Sequence, residues 1–251
     1  VGTIGPGGLV QQSGGTFNAI YSQNEMNIGR SNNAVGLYEL SGGTLNAGII
    51  NVAKENGSLG TLDMTGGTVN VADLYIGRDG GSNGLVEISA GTINAGWIAN
   101  GSGGTATMHI IGDDATITTS NAFALWCNFK STLKLTIDEG ISMIDASSGT
   151  VGISAPGSGN RNPTLEVDFS VTPEVGDVFD IIKYGELQAA RWDTFDGVVN
   201  SPLGEDTVTL AINYEGGANR DTIQLEVIDV VLSGVSGDYN NDGTVEQGDL
   251  D

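Results

Sequence analysis

The sequence has few of the devices that usually hold a chain together. It contains one cysteine, Cys127, so no disulfide can form within it. It contains five prolines, one histidine, three tryptophans, six tyrosines and six phenylalanines. So few rings leave little for an ordinary globular core. Cations are scarce too: nine lysines and arginines face 31 aspartates and glutamates, for a net charge of −22. Such a surface repels nucleic acid and anionic membranes, and it favours solubility and divalent cations. No apolar run reaches the roughly 18 residues of a spanning helix, so no membrane insertion is expected. No secretory leader is visible. The opening VGTIGPGGLV reads as the middle of something, so a mature or clipped form is expected.

What the chain has in quantity is glycine, 40 residues in 251. There is no Gly-X-Y period, which excludes collagen. A β architecture with many tight turns remains, because glycine supplies the positive-φ positions that such turns require. Charge is uneven along the chain. Residues 1–100 hold 7 acids and 3 bases, whereas 161–251 hold 19 acids and 4 bases. The Gly/Ser/Pro-rich stretch SAPGSGNRNP (154–163) marks a boundary at the same place.

The main signal is an internal repeat. SGGTFNA (13–19), SGGTLNA (41–47), TGGTVNV (65–71) and SAGTINA (89–95) align, and DDATITT (113–119) is a degenerate fifth copy. The first step is 28 residues and the later ones are 24. NIGR (27–30), NVAK (51–54), YIGR (75–78) and WIAN (97–100) form a second row. GLYEL (36–40), GTLDM (60–64) and GLVEI (84–88) form a third. Three short β segments per unit, repeated at fixed length without helical periodicity, predict a parallel β-solenoid.

Equivalent positions should then stack as ladders. Phe17, Leu45, Val69, Ile93 and Ile117 read as an inward apolar row, and Ile28, Val52, Ile76 and Ile98 as another. Asn18, Asn46, Asn70 and Asn94 read as an amide ladder, in which side chains can bond from coil to coil. Thr16, Thr44, Thr68, Thr92 and Thr116 read as a hydroxyl row. After residue 104 the beat loosens, with TATMHI, TLKLTI and TLEVDF as further rungs at longer spacing. Beyond 170, alternating segments such as DTVTLAINYEGG and RDTIQLEVIDVVL predict a small antiparallel unit. It would cap the open coil and its unpaired edges. The expected all-β organisation is a solenoid over 1–160, an antiparallel cap over 161–233 and a tail over 234–251.

The tail GDYNNDGTVEQGDLD has calcium-loop spacing. Oxygen donors fall at Asp238, Asn240, Asp242, Thr244 (by its carbonyl), Glu246 and Asp249, with Gly243 at the sharp turn. The bland alternative is an acidic tail.

The SGGTLNAG-type coils resemble the glycine-rich extracellular repeats related to autotransporter-associated β-strand repeats. GDVFDII, WDTFDG and INYEGGANRDTIQLEV resemble the β module that often follows them. DYNNDGTVEQGD resembles the first half of a dockerin type I repeat, with one loop present where a dockerin has two. The arrangement is similar to large secreted or surface proteins of planctomycete-like bacteria. The resemblance implies an extracellular location and a structural role, and it specifies no reaction.

Other chemistry-bearing residues are fewer. Arg30, Lys54 and Arg78 form a basic ladder, and Glu39, Asp63 and Glu87 an acidic one. A β-helix polysaccharide lyase could use such a face. Active sites break a repeat, however, so strict periodicity reads as a solvated face. Tyr75 and Trp97 are candidate sugar contacts at equivalent outward positions on successive coils, with cross-strand packing as the plainer reading. His109 has no evident Ser or Asp arrangement around it, and Cys127 in FALWCNF reads as a small buried hydrophobe. The expected function is a non-enzymatic extracellular structural protein, a calcium-binding subunit of a fibre, matrix or cell-surface assembly that self-associates end to end. The alternatives are a carbohydrate-binding adhesin, with a polysaccharide partner, and the lyase.

Overall fold

The structure, a computed structural model, describes residues 2–4, 7–19, 25–126, 130–154, 163–187, 195, 198–201 and 207–231. None of these residues is helical. The strands are β1 (Gly2–Ile4), β2 (Gly8–Ala19), β3 (Glu25–Ile28), β4 (Val35–Val52), β5 (Leu59–Ile76), β6 (Asn83–Asn100), β7 (Thr105–Ile111) and β8 (Ala115–Trp126). They continue as β9 (Lys130–Ile137), β10 (Ile144–Ser154), β11 (Thr164–Phe169), β12 (Val178–Leu187), β13 (Val198–Ser201), β14 (Thr207–Gly216) and β15 (Thr222–Val231). They form a parallel β-solenoid of about six turns, about 24 residues apart.

Each regular coil is one long strand that bends twice. In β4 the first leg turns Tyr38 and Leu40 inward, the second Leu45, and the third Ile50 and Val52, all at most 1 % exposed. The bend between the first two legs uses Gly42 and Gly43, and Gly43 has φ +83. Only the third corner interrupts the strand, through a turn in which Ser58 N bonds Glu55 O at 3.0 Å. The same turn recurs one coil later from Ser82 to Asp79.

Register is fixed to the residue. Gly36, Gly60 and Gly84 pair in succession, as do Leu45, Val69, Ile93 and Ile117. Gly60 cannot be anything else: a Cβ there would lie 2.2 Å from Ile28 O and 2.3 Å from Ala53 N. At the third corner Gly29 and Gly77 have φ +74 and +60, and the equivalent Ala53 holds φ +61 despite its Cβ. Burying each Leu, Ile or Val on these rungs contributes about 1.5–3 kcal/mol.

Two expected rows need correction. Phe17 is in register with Leu45 but is 45 % exposed, because among the described strands β2 pairs with β4 alone. Ile98 pairs with Leu74, not Ile76; the residue beside Ile76 is Asn100. WIAN looks like YIGR, but the coil keeps its 24-residue count and the match is displaced by two positions. Asn100 therefore occupies a core position, fully buried, with its Nδ2 donating to Thr132 O at 2.8 Å.

Beyond β6 the stack persists at growing intervals. The step is 24 residues from Ile93 to Ile117, 27 from there to Ile144 and 38 from there to Ile182. β7, β9, β11 and β13 extend the first face in parallel, so parallel pairing continues past residue 161. The change of sense falls within β12. Its second half pairs parallel with β10, and its first half pairs antiparallel with β15, which in turn pairs antiparallel with β14. Ile181, Ile182, Ile223, Leu225 and Val227 make the core of this end.

Candidate functional site

The third corner brings the expected basic ladder together, but it is not a free solvated row. Glu25, at the start of β3, sits beneath it with a side chain only 7 % exposed. Its Oε1 accepts from Lys54 Nζ, from Asn51 Nδ2 at 2.6 Å and from Arg78 Nη1 at 3.2 Å. Asn51 also donates to Asn27 Oδ1 and accepts from Arg78, each at 2.8 Å. Arg30 pairs with Glu55 at 3.0 Å. Cations on adjacent rungs would otherwise repel at the strand spacing of about 4.8 Å. Burial alone would raise the Glu25 pKa, but Lys54, Asn51 and Arg78 together hold it below the usual carboxylate value.

Tyr75 and Trp97 do not share a rung position. Tyr75 lies beside Ala99, and Trp97 beside Asp73. Their rings still meet, with centroids 6.1 Å apart and planes at 53°, so they form a tilted pair and not a flat platform. Arg78 covers the Tyr75 ring at 4.6 Å.

The acidic ladder lies on the first face, and it is longer than expected. Gln11, Glu39, Asp63, Glu87, His109, Lys134 and Glu166 follow one another in register. Its middle is unrelieved: burial raises the Asp63 pKa, and the neighbouring Glu87 and Glu39 raise it further. His109 ends the run of acids. Its Nδ1 lies 2.8 Å from Glu87 Oε2, and its Nε2 lies 2.8 Å from Thr136 Oγ1. This is acid–imidazole–hydroxyl spacing, which the sequence reading did not anticipate. The three residues come from three coils, and only the coil offset brings them together. Hydrolysis through Thr136 would also need N–H donors aimed at a developing oxyanion. Thr136 pairs with Ile111 on one side and Asp168 on the other, so the backbone around it is committed to the sheet. The arrangement ties the last acid of the column, through His109, to the coil beyond it. Lys134 pairs with Asp168 at 2.8 Å.

The second face carries no charge over the four rungs at 13–19, 41–47, 65–71 and 89–95, and its polar rows run on into a fifth. Thr16, Thr44, Thr68, Thr92 and Thr116 pair in succession, as do Asn18, Asn46, Asn70, Asn94 and Thr118. The amides form the expected ladder. Asn46 donates to Asn18 at 2.8 Å, Asn70 to Asn46 at 2.9 Å, Asn94 to Asn70 at 2.9 Å, and Thr118 Oγ1 to Asn94 Oδ1 at 3.0 Å. A polar trough of about 500 Å³ runs alongside, past Asn70, Asn94 and Thr118 to Ser147.

A larger trough of about 890 Å³ lies where the solenoid meets the antiparallel end. Asp138, Glu139, Glu174, Asp177 and Asp180 line it together with Val171 and Val178. Among the described residues no three His, Cys, Asp or Glu side chains are grouped to hold a metal ion. The calcium-loop residues Asp238, Asn240, Asp242, Thr244, Glu246 and Asp249 lie outside the described residues, as does Cys127. No family model matches the chain, and no curated protein or solved structure matches it significantly.

Proposed function

We propose that this chain is a non-enzymatic extracellular structural module, a stiff spacer in a fibre, matrix or cell-surface assembly. It joins its neighbour end to end through the rung formed by β2. The observation that carries this reading is the contrast between the two ends of the described stack. Among the described strands β2 pairs with β4 alone, with Leu9 55 % and Phe17 45 % exposed, whereas the far end of the described stack turns into an antiparallel unit. An open parallel rung is a template for a further parallel strand. A contact of that kind need not close on itself, so it can propagate. The ladders support the same reading. The amides of the regular coils bond to their equivalents one coil away, which stiffens a rod.

Calcium belongs to this proposal. The loop from Asp238 would take the ion, and it would stiffen the tail beyond the antiparallel end. Sedimentation velocity with calcium and with a chelator tests both parts. The expected result is a concentration-dependent oligomer that Phe17→Lys reduces to monomer, and a loss of compactness on chelation that Asp238→Ala and Asp242→Ala reproduce. A wild-type monomer at every concentration would remove the stacking claim. Identical profiles with and without calcium would remove the ion.

A further inference from the structure

We propose that the second face of the solenoid is an ice-binding surface, with Thr44, Thr68 and Thr92 as its hydroxyl row and Asn46, Asn70 and Asn94 as its amide row. This activity is independent of the structural role above.

The argument begins with the spacing. Thr and Asn are two positions apart on one strand, so they point to the same side about 6.6 Å apart. Each pair repeats one coil later, about 4.8 Å along the axis. The register from Thr44 to Thr92 and from Asn46 to Asn94 contains no shifted residue within either row. The result is a two-dimensional grid of hydrogen-bonding groups. Water oxygens in hexagonal ice repeat along two perpendicular directions at nearly these distances.

Rigidity comes next. A grid selects a crystal only if its groups hold still. The three amides are fixed by bonds of 2.8–2.9 Å to the next amide in the row. Each bond uses one N–H and one lone pair, so every amide keeps a second N–H and a second lone pair for a ligand. All are oriented alike. Threonine is β-branched and stiff at χ1, and it offers a methyl group beside its hydroxyl.

Charge fixes the class of ligand. The protein carries −22, yet the four rungs at 13–19, 41–47, 65–71 and 89–95 present no ionised side chain on this face, and the exposed Asp113 and Asp114 come only with the fifth. A charged polymer has nothing here to pair with, and a flat aromatic platform for sugar stacking is lacking on these rungs. Neutral, ordered water is the complement. The surface is also accessible: the threonines and asparagines of the row are half-buried or exposed, while Leu45, Val69 and Ile93 between them point into the core. The grid stops where Asp145 follows Thr118 in register.

The test uses the full 251-residue chain in thermal-hysteresis and ice-recrystallisation assays. Wild type should shape ice crystals and suppress recrystallisation. Thr68→Tyr and Thr92→Tyr each plant a bulky ring in the grid and should lose that activity, with β circular dichroism and melting unchanged. Thr209→Tyr, the same change on an exposed strand position away from the grid, should retain it. A wild-type chain no more active than an equal concentration of an inert protein would overturn the proposal. So would equal losses in the Thr68 and Thr209 variants. Retention on microcrystalline cellulose without any effect on ice would overturn it in favour of a polysaccharide surface.

Discussion

The three regular coils, β4 to β6, and the far end, β12 to β15, are both all-β, but they are specified differently. In the coils every rung sees its own sequence above and below. One residue type can therefore solve the same problem repeatedly: Gly36, Gly60 and Gly84 at the close approach, and Asn46, Asn70 and Asn94 in the amide row. At the far end no position has an equivalent neighbour. Order there comes from alternation and from single contacts, such as Tyr184 OH donating to Tyr214 O at 2.7 Å. Repetition gives regularity, but it also stacks like charges. The basic ladder is relieved by Glu25, which lies outside the period, and the acidic ladder ends on a hydrogen bond between Glu87 and His109.

The largest effect that should separate the two regions is steric. Gly60→Ala forces a Cβ into the backbone of the previous coil and should cost about 3 kcal/mol. Gly176→Ala, at φ +97 with nothing within 4 Å of its Cβ, should cost only about 1 kcal/mol. Urea titrations of the two variants measure the difference, and equal losses would deny that backbone approach distinguishes the regions.

Next is the ion network. Glu25→Gln leaves Lys54 and Arg78 without their shared carboxylate and should cost about 2 kcal/mol, less than a fully buried pair because the cations are partly exposed. The Glu25 pKa is lower in the folded state than in the unfolded chain. Its stabilising contribution is thus complete above the ordinary carboxylate range, and it fades as pH falls through the folded value. Melting curves from neutral pH to below pH 4 should lose this slope in the variant.

A smaller loss is expected in the amide row. Asn70 both donates and accepts, and Asn70→Ala should cost about 1 kcal/mol in thermal unfolding. An equivalent loss for an exposed asparagine outside the ladder, such as Asn213, would show that the row adds nothing.

The smallest effect has the opposite sign. The folded-state pKa of Asp63 is raised, so the folded chain binds this proton more tightly than the unfolded chain does. Its charged form destabilises at neutral pH, and the penalty is relieved as pH falls through the raised value. Asp63→Asn should therefore stabilise at pH 7 by about 0.5 kcal/mol, an effect that differential scanning calorimetry would see vanish in acid.

Much of the regular region was legible because identical residues recur at a countable interval. The threonine and asparagine rows, the apolar row from Leu45 to Ile117 and the glycine row all stand where the count puts them. The error at Trp97 has the same origin: local likeness of WIAN to YIGR outweighed the count, which places Asn100 beside Ile76. Glu25 could not be found by period, because its register partner is Ile49 and the next residue in the column is Asp73. The Glu87–His109–Thr136 contact spans three coils after the interval has changed, so no fixed spacing reveals it. Phe17 was misplaced for a different reason: a position that is interior in the middle of a stack is exposed on β2, which among the described strands pairs with β4 alone.

The central proposal is that this rod joins a second copy through the rung formed by β2. Negative-stain imaging of the full chain tests it most directly, alongside the Phe17→Lys variant. Rods several times longer than one stack, about 35 Å at the ordinary strand spacing, are expected from wild type and only single stacks from the variant. Uniform single particles from both proteins would contradict the account.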